Sequence, residues 1–180
     1  MQSVKEKLTK DTAGLKKAFG RDNIMSIPKI LKVVISAGTG SLKDKKKNDL
    51  IADRLTKITG QKPSLRGAKK SVASFKVRQG DPVGFVITLR AGRMYGFLDK
   101  LINVALPRMR DFRGLDIKSI DKMGNYTLGL KEHVIFPETA DEDLRDVFGL
   151  AITLTTSAKN PEEAATLLKY IGLPFVKKVK

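Results

Sequence analysis

The sequence contains no cysteine and no tryptophan, and its 180 residues include a single histidine, His133. Because there is no thiol, the chain can form no disulfide framework, no thiolate metal site and no cysteine nucleophile. One histidine is too few for a histidine-rich metal cluster and leaves no choice of base for a serine-histidine-aspartate relay. The composition therefore favours a non-catalytic protein that needs no cofactor, in a reducing, cytoplasmic setting.

Long apolar runs are missing as well. No stretch approaches the roughly 18 residues that a membrane-spanning helix requires. Charges interrupt the first 20 residues too often for a signal-peptide core. Those residues predict instead a short amphipathic helix over about residues 1–20, which packs on the domain. Binding of this helix to a membrane surface is the alternative, although its apolar face is small.

Acidic residues are absent between Asp53 and Asp81, although the whole chain carries 19 of them. The same window holds the basic residues Arg54, Lys57, Lys62, Arg66, Lys69, Lys70, Lys76 and Arg78. Such a one-sign cluster repels itself unless a polyanion neutralises it, and the net charge of +16 extends that argument to the whole chain. The pattern predicts a polyanion-binding surface, with a solvated lysine-rich face as the alternative.

The apolar residues that are present follow two periods. Alternating and β-branched residues predict strands over residues 29–38, 82–92, 125–134 and 149–158, and a possible short strand over 74–78. Helical spacing predicts helices over residues 43–60, 93–106 and 160–172, with Gly60 and Pro107 as stops and Asn160 as a cap.

The connections between these elements decide the fold class. Those between residues 61 and 92 are too short for helical crossovers, which favours a mainly antiparallel sheet with helices packed on one face. Residues 137–146 predict an exposed acidic connection. We therefore expect one α+β domain over residues 1–180 with protruding basic loops.

A glycine-rich turn after the first predicted strand, VVISAGTGS over residues 33–41, raises the possibility of a phosphate-binding loop. The turn lacks the Gly-Lys-Ser/Thr ending of that motif and the third glycine of the dinucleotide fingerprint. A simple turn is favoured, and a nucleotide-binding enzyme that uses residues 37–41 is the alternative.

The remaining signal is typical of RNA binding. Bases lie beside backbone-permissive glycines, which let a chain approach phosphates closely. Arg108, Arg110 and Arg113 add planar donors that suit phosphate geometry. Aromatic residues make up only 6% of the chain, so an extensive base-stacking platform is not expected. Recognition of folded RNA by its shape, backbone and 2′-hydroxyls is favoured.

Three long blocks carry a family resemblance: TGQKPSLRGAKKSVASFKVRQGDPVG, ITLRAGRMYGFLDKLINVALPRMRDFRGL and GNYTLGLKEHVIFPE. Together with NPEEAATLLKYIGLPF they resemble the bacterial large-subunit ribosomal proteins that bind 5S rRNA, the ribosomal protein five family. The resemblance runs from about Ile24 to the end of that last block. It implies a non-catalytic protein of the central protuberance that binds 5S rRNA, helps join it to 23S rRNA and lies beside neighbouring large-subunit proteins, away from any membrane.

The resemblance also implies three sets of contact residues. The 5S rRNA-binding set is Lys32, Ser36, Gln61, Lys62, Arg66, Thr88 and Arg90. The loop that reaches tRNA in the peptidyl site carries Lys69, Lys70, Ser71, Phe75, Lys76 and Arg78. The part that faces a small-subunit head protein across an intersubunit bridge carries Arg108, Arg110 and Arg113.

The chain departs from the family pattern at four positions. Ser36 stands where asparagine is customary, and serine lacks the paired donor and acceptor of an amide. Arg66 replaces a customary threonine, which adds a charge to the RNA-facing loop. Gly96 and Ala151 stand where Glu and Asp are customary, so both changes make the chain more basic.

Overall fold

The alternating apolar residues form the strands of an antiparallel sheet in the computed structural model, which describes residues 3–40, 45–110, 112–139 and 147–176. In these ranges the strands are β1 (Ile30–Gly38), β2 (Ser64–Gly67), β3 (Pro82–Leu89), β4 (Tyr126–Leu130) and β5 (Leu150–Thr156). The α-helices are α1 (Val4–Thr9), α2 (Thr12–Phe19), α3 (Lys45–Thr59), α4 (Ala91–Lys100) and α5 (Pro161–Ile171). Within the same ranges no helix is long and apolar enough to cross a membrane.

The sheet has the strand order β2-β3-β1-β5-β4. Along β5 every second residue is buried, from Leu150 through Ile152 and Leu154, whereas the residues between them are half-buried. This period of two means that one face of the sheet contributes to the core and the other is partly accessible. The prediction of an α+β fold with a mainly antiparallel sheet is confirmed.

Most predicted elements are present, and their ends have identifiable causes. Gly60 adopts a left-handed conformation (φ +67°) directly after α3, as expected of a helix stop. Beyond α4 the chain continues into a π-helical turn, Leu101–Ala105, in which the Leu106 N–H donates to the Leu101 carbonyl at 2.9 Å. Asn160 occupies the N-cap position of α5, as predicted, although its side chain makes no capping hydrogen bond.

The prediction of a short strand over residues 74–78 is also wrong. Ala73–Phe75 forms a single 3₁₀ turn, and Lys76 follows it with a positive φ of +52°, which no strand residue adopts. The strand in this part of the chain is β2, which the sequence did not indicate.

The N-terminal segment forms two short helices rather than one helix over residues 1–20. Ser3 and Glu6 form a capping box at the start of α1, and the Asp11 carboxylate accepts the Gly14 N–H at 3.0 Å to start α2. Asp11 itself has non-helical angles (φ −88°, ψ +61°), which breaks the helix between Thr9 and Thr12. A strong cap in mid-segment therefore divides the predicted helix.

The chain divides into two compact units. Unit 1 comprises residues 1–33, 89–128 and 153–180, and unit 2 comprises residues 34–88 and 129–152. The prediction of one domain stays a prediction. In unit 1, α1 packs on α2, α4 and α5, and the Val4 N–H donates to the Asp99 carboxylate at 2.7 Å.

In unit 2, α3 packs against the 3₁₀ turn Pro137–Thr139. Residues 140–146 of the predicted acidic connection lie outside the described residues, and Thr139 is buried. His133 is fully buried and stacks on Phe148 with ring centroids 4.2 Å apart. Its Nδ1 accepts the Phe148 N–H at 3.3 Å, so the histidine has a packing role.

Candidate nucleic-acid interface

The strands β2, β3 and β1 bring three of the predicted 5S rRNA contacts onto one face of unit 2. In the β2–β3 register Arg66 lies opposite Gly84, and Thr88 shares the face of Gly84 because strand residues alternate. The Thr39 N–H donates to the Val83 carbonyl at 2.9 Å, and this antiparallel register, continued along β1, puts Ser36 on that face too. Ser36 and Thr88 are half-buried, and Arg66 is exposed.

Close backbone packing holds these strands together at Gly84. A Cβ added there would lie 2.8 Å from the Ala37 carbonyl oxygen, which is closer than side-chain atoms pack. Glycine at position 84 thus lets the backbone of β3 lie close to the backbone of β1.

Gln61 and Lys62 follow α3 at the entrance to β2. The buried Thr59 hydroxyl accepts the Gln61 N–H at 3.3 Å, and the same hydroxyl lies 2.7 Å from the Leu55 carbonyl. The backbone of Gln61 is therefore fixed to the end of the helix, and its side chain is half-buried. Lys62 is exposed.

The remaining two predicted 5S rRNA contacts, Lys32 and Arg90, belong to unit 1. Lys32 is half-buried in β1, and Arg90 is exposed at the N-cap position of α4 in an extended conformation (φ −136°, ψ +162°). Ala91 follows with a positive φ of +49°, which is unusual for a residue with a Cβ. A tight backbone turn thus sets the direction of Arg90.

The loop predicted to reach tRNA is a hairpin, residues 68–81, which we call the finger. At its base the Ala68 N–H donates to the Asp81 carbonyl at 2.9 Å and the Gly80 N–H donates to the Ala68 carbonyl at 3.0 Å. Nearer the tip, Val72 and Val77 exchange two backbone hydrogen bonds of 2.9 and 3.3 Å. The finger is therefore held by hydrogen bonds within itself.

The base of the finger depends on Gly80 and Asp81, neither of which was among the predicted contacts. Gly80 has a φ of +91°, and a Cβ on Gly67 would lie 3.1 Å from the Gly80 carbonyl oxygen. The Asp81 carboxylate accepts the Arg78 N–H at 2.8 Å. Asp81 was visible in the sequence as the acid that ends the basic window, and its role here is to close the turn.

All six residues predicted for the finger are exposed: Lys69, Lys70, Ser71, Phe75, Lys76 and Arg78. Over the described ranges none of the four basic side chains forms an ion pair with an acid. The Ser71 hydroxyl accepts the Gln79 N–H at 2.9 Å, so it serves the hairpin. The finger therefore presents its charge to solvent.

The three predicted bridge residues lie in a segment that we call the arginine segment, residues 107–110 and 112–115. Arg108, Arg110 and Arg113 are exposed. Leu106 precedes the segment and Leu115 ends it, and both are buried. The Leu115 N–H donates to the Pro174 carbonyl at 2.8 Å, which ties the end of the segment to the chain after α5.

Two of the departures from the family pattern have a simple structural setting. Gly96 is exposed on α4, and a Cβ added there would meet no atom within 4 Å. Ala151 is half-buried in β5. A larger side chain fits at Gly96, so packing does not explain the loss of an acid there.

The glycine-rich turn offers little to a nucleotide. Thr39 is fully buried and its N–H already donates to Val83 within the sheet, so this amide cannot bind a phosphate. Ser41 lies outside the described residues. Across the part of the chain that the structure describes, no three His, Asp or Glu side chains form a group that could hold a metal ion.

Comparison with known families agrees with this geometry. Residues 82–175 match the C-terminus of the ribosomal L5 protein family, and residues 23–78 match ribosomal protein L5.

Individual relatives cover nearly the whole chain. The large ribosomal subunit protein uL5 of Halothermothrix orenii is 51% identical over 87% of this chain and 88% of its own. Those of Heliobacterium modesticaldum and Clostridium botulinum are each 48% identical, over 97% and 98% of this chain and 98% and 99% of their own, respectively. The chain therefore belongs to the ribosomal protein uL5 (L5) family, and it is a structural, non-enzymatic constituent of the large ribosomal subunit.

Proposed function

We propose that this chain binds 5S rRNA through the accessible face of unit 2 and helps attach it to 23S rRNA in the central protuberance. The observation that carries the proposal is that Ser36, Arg66 and Thr88 share one accessible face. Gln61 and Lys62 add an amide and an ammonium at the entrance to β2, the strand that carries Arg66. The family resemblance points to the same residues.

The chemistry of this face suits the backbone of folded RNA. Hydroxyl groups such as those of Ser36 and Thr88 both donate and accept, as a ribose 2′-hydroxyl requires. Arg66 presents a planar fork of donors that matches a phosphate. A surface of this kind recognises RNA by shape and backbone, and the net charge of +16 draws the polyanion to it. Lys32 and Arg90, which belong to unit 1, are proposed as 5S rRNA contacts on the family resemblance alone.

We propose two further contacts in the assembled ribosome. The finger contacts tRNA in the peptidyl site, because its four basic side chains are exposed and its hairpin is slim enough to extend between RNA surfaces. The arginine segment contacts a protein of the small-subunit head across an intersubunit bridge. Its exposed guanidinium groups suit an acidic protein surface.

A binding titration with 5S rRNA tests the face in unit 2. Gln61→Ala and Thr88→Val should each weaken binding by about 1 kcal/mol, the usual value of a neutral hydrogen bond. Thr155→Val is the matched control, because Thr155 is also half-buried in a strand but lies outside the predicted contacts. Equal losses in Thr88→Val and Thr155→Val would show that the contact is not specific to Thr88.

The salt dependence of the same titration separates this proposal from the nucleotide-binding alternative. If about six phosphates are neutralised, the logarithm of the binding constant should fall by several units per decade of salt. A slope near zero, together with a rise in melting temperature on adding ATP, would favour the nucleotide-binding alternative.

A further inference from the structure

Phe75 lies at the tip of the finger with 76% of its surface exposed. The other phenylalanines of the chain, at positions 19, 85, 97, 112, 136, 148 and 175, are buried or half-buried. Single exposed apolar residues are common, but a large exposed aromatic ring at the apex of a charged hairpin is a candidate contact.

The backbone around Phe75 is fixed. The 3₁₀ turn Ala73–Phe75 closes when the Lys76 N–H donates to the Ala73 carbonyl at 3.0 Å, and Lys76 then turns the chain with its positive φ of +52°. The hydrogen-bonded pair Val72 and Val77 lies directly behind this turn. A tight turn thus presents the ring, and little backbone freedom is left to lose on binding.

The charges around Phe75 select the chemical class of its partner. Lys69, Lys70, Lys76 and Arg78 lie on the same hairpin, and the acid of the hairpin, Asp81, is at its base. An exposed ring among basic side chains suits a ligand that has both a flat apolar surface and negative charge, and a nucleotide in RNA has both. We propose that Phe75 stacks on an unpaired nucleobase of the RNA that the finger contacts. This inference rests on the proposed function of the finger.

A single ring of this kind adds a contact that the basic side chains cannot make. Lysine and arginine bind phosphates, which every nucleotide carries, whereas the face of an aromatic ring needs a base that is not stacked in a duplex. Stacking tolerates any base identity, because each base has a π face. The finger would therefore distinguish an open loop from a continuous duplex without reading its sequence.

The absence of tryptophan from the chain makes a direct test possible. In the full-length Phe75→Trp variant the new indole is the sole tryptophan. The variant is titrated with a short RNA stem-loop that has one unpaired adenine in its loop, and with the same RNA carrying an abasic residue there. We expect saturable quenching by the first RNA and at least fivefold less quenching by the second. Equal responses to the two RNAs, or a response only to vesicles of anionic lipid, would overturn the proposal.

Substitutions at the same position test stacking in the otherwise unchanged chain. Phe75→Leu keeps an apolar side chain but removes the ring, and it should raise the dissociation constant for the adenine-containing RNA about tenfold. Phe75→Tyr keeps the ring and should bind within about twofold of the parent chain. Equal affinities for the leucine and tyrosine variants would mean that the ring face is not used.

A parallel assay keeps this proposal distinct from the function proposed for the finger. Retention of tRNA is measured on ribosomes reconstituted with the parent chain, Phe75→Leu, or a variant in which the four basic side chains of the finger are replaced by glutamine. If only the charge variant loses tRNA, the finger reaches tRNA without stacking, and the stacking proposal fails. If neither variant loses tRNA while the stem-loop still distinguishes adenine from the abasic residue, the assignment to tRNA fails and stacking stands.

Discussion

The finger and the arginine segment both present basic side chains to solvent, but different interactions hold them in place. In the finger, backbone hydrogen bonds such as those between Val72 and Val77 fix the chain, and every side chain predicted to bind is exposed. The arginine segment follows the buried residue Leu106 and ends at the buried residue Leu115. Substitution of finger side chains is therefore expected to leave the fold intact, whereas the arginine segment depends on the core of unit 1.

The largest expected effect tests the dependence of the arginine segment on the core. Leu106 is 1% exposed, so Leu106→Ala removes buried methyl groups and should lower the free energy of unfolding by about 2–5 kcal/mol. Val104, which lies just before it in the chain and is 37% exposed, is the control, and Val104→Ala should cost less than about 1 kcal/mol. Urea unfolding measures both. Similar costs at the two positions would show that the burial of Leu106 does not anchor the arginine segment.

The second effect is a loss of stability at alkaline pH. Burial, with a smaller contribution from the Asp116 carboxylate, raises the pKa of Tyr126 to about 12, and the ring packs edge-on against Phe175 at 5.7 Å. Because the folded state keeps a proton that the unfolded state releases near pH 10, this stability is complete below pH 10 and is lost between about pH 10 and 12.

Tyr126→Phe should remove that part of the alkaline loss, as measured by unfolding at a series of pH values. Tyr170→Phe is the comparison, because burial and the Asp11 carboxylate also raise the pKa of Tyr170 to about 12. The Tyr126 ring contacts Phe175, whose backbone pairs with Leu115 at the end of the arginine segment. If Tyr126→Phe leaves the pH profile unchanged, the phenol is not held protonated by its surroundings.

The third effect tests whether the backbone alone holds the finger. Gly80 has a φ of +91°, and alanine in that region costs about 1–3 kcal/mol. In Gly80→Ala we expect this strain to open the base of the finger and to increase hydrogen exchange at the Val72 and Val77 amides. Gly129→Ala in β4 is the control, because a Cβ at either glycine would meet nothing within 4 Å but only Gly80 has a positive φ. Unchanged exchange in Gly80→Ala would show that the finger does not depend on this glycine.

The smallest effect on stability accompanies the largest expected effect on function. Replacing Lys69, Lys70, Lys76 and Arg78 together by glutamine should change the free energy of unfolding by no more than about 0.5 kcal/mol, because all four are exposed. Most of the affinity for 5S rRNA should remain, while retention of different tRNAs in the peptidyl site should fall to a similar extent. Loss of 5S rRNA binding with normal tRNA retention would contradict the separate roles of face and finger.

The sequence predicted elements that are specified by their own residues. Strand β5 alternates buried and half-buried side chains, and α3 ends at a glycine with positive φ, so both could be read directly. Strand β2 could not be predicted from the sequence, because all four of its residues are exposed. It is a strand only through its pairing with β3. The prediction of a strand over residues 74–78 was wrong because the alternating residues there belong to a tight turn.

The candidate site shows the same limit. The window of basic residues without acids identified the finger, because a cluster of like charges can be recognised in the sequence alone. The grouping of Ser36, Arg66 and Thr88 depends on the registers of three strands, which no single segment encodes. The family resemblance had to supply those residues.

The backbone hydrogen bonds that join the two sides of the finger have a consequence for how its length can change. Ala68 is bonded to Gly80 and Asp81 at the base, and Val72 is bonded to Val77 behind the tip. The residues between these two places form bends and turns rather than regular strand pairs. No alternation of faces has to be preserved there. Equal insertions on the two sides would therefore move the turn that carries Phe75 outward without breaking either set of hydrogen bonds.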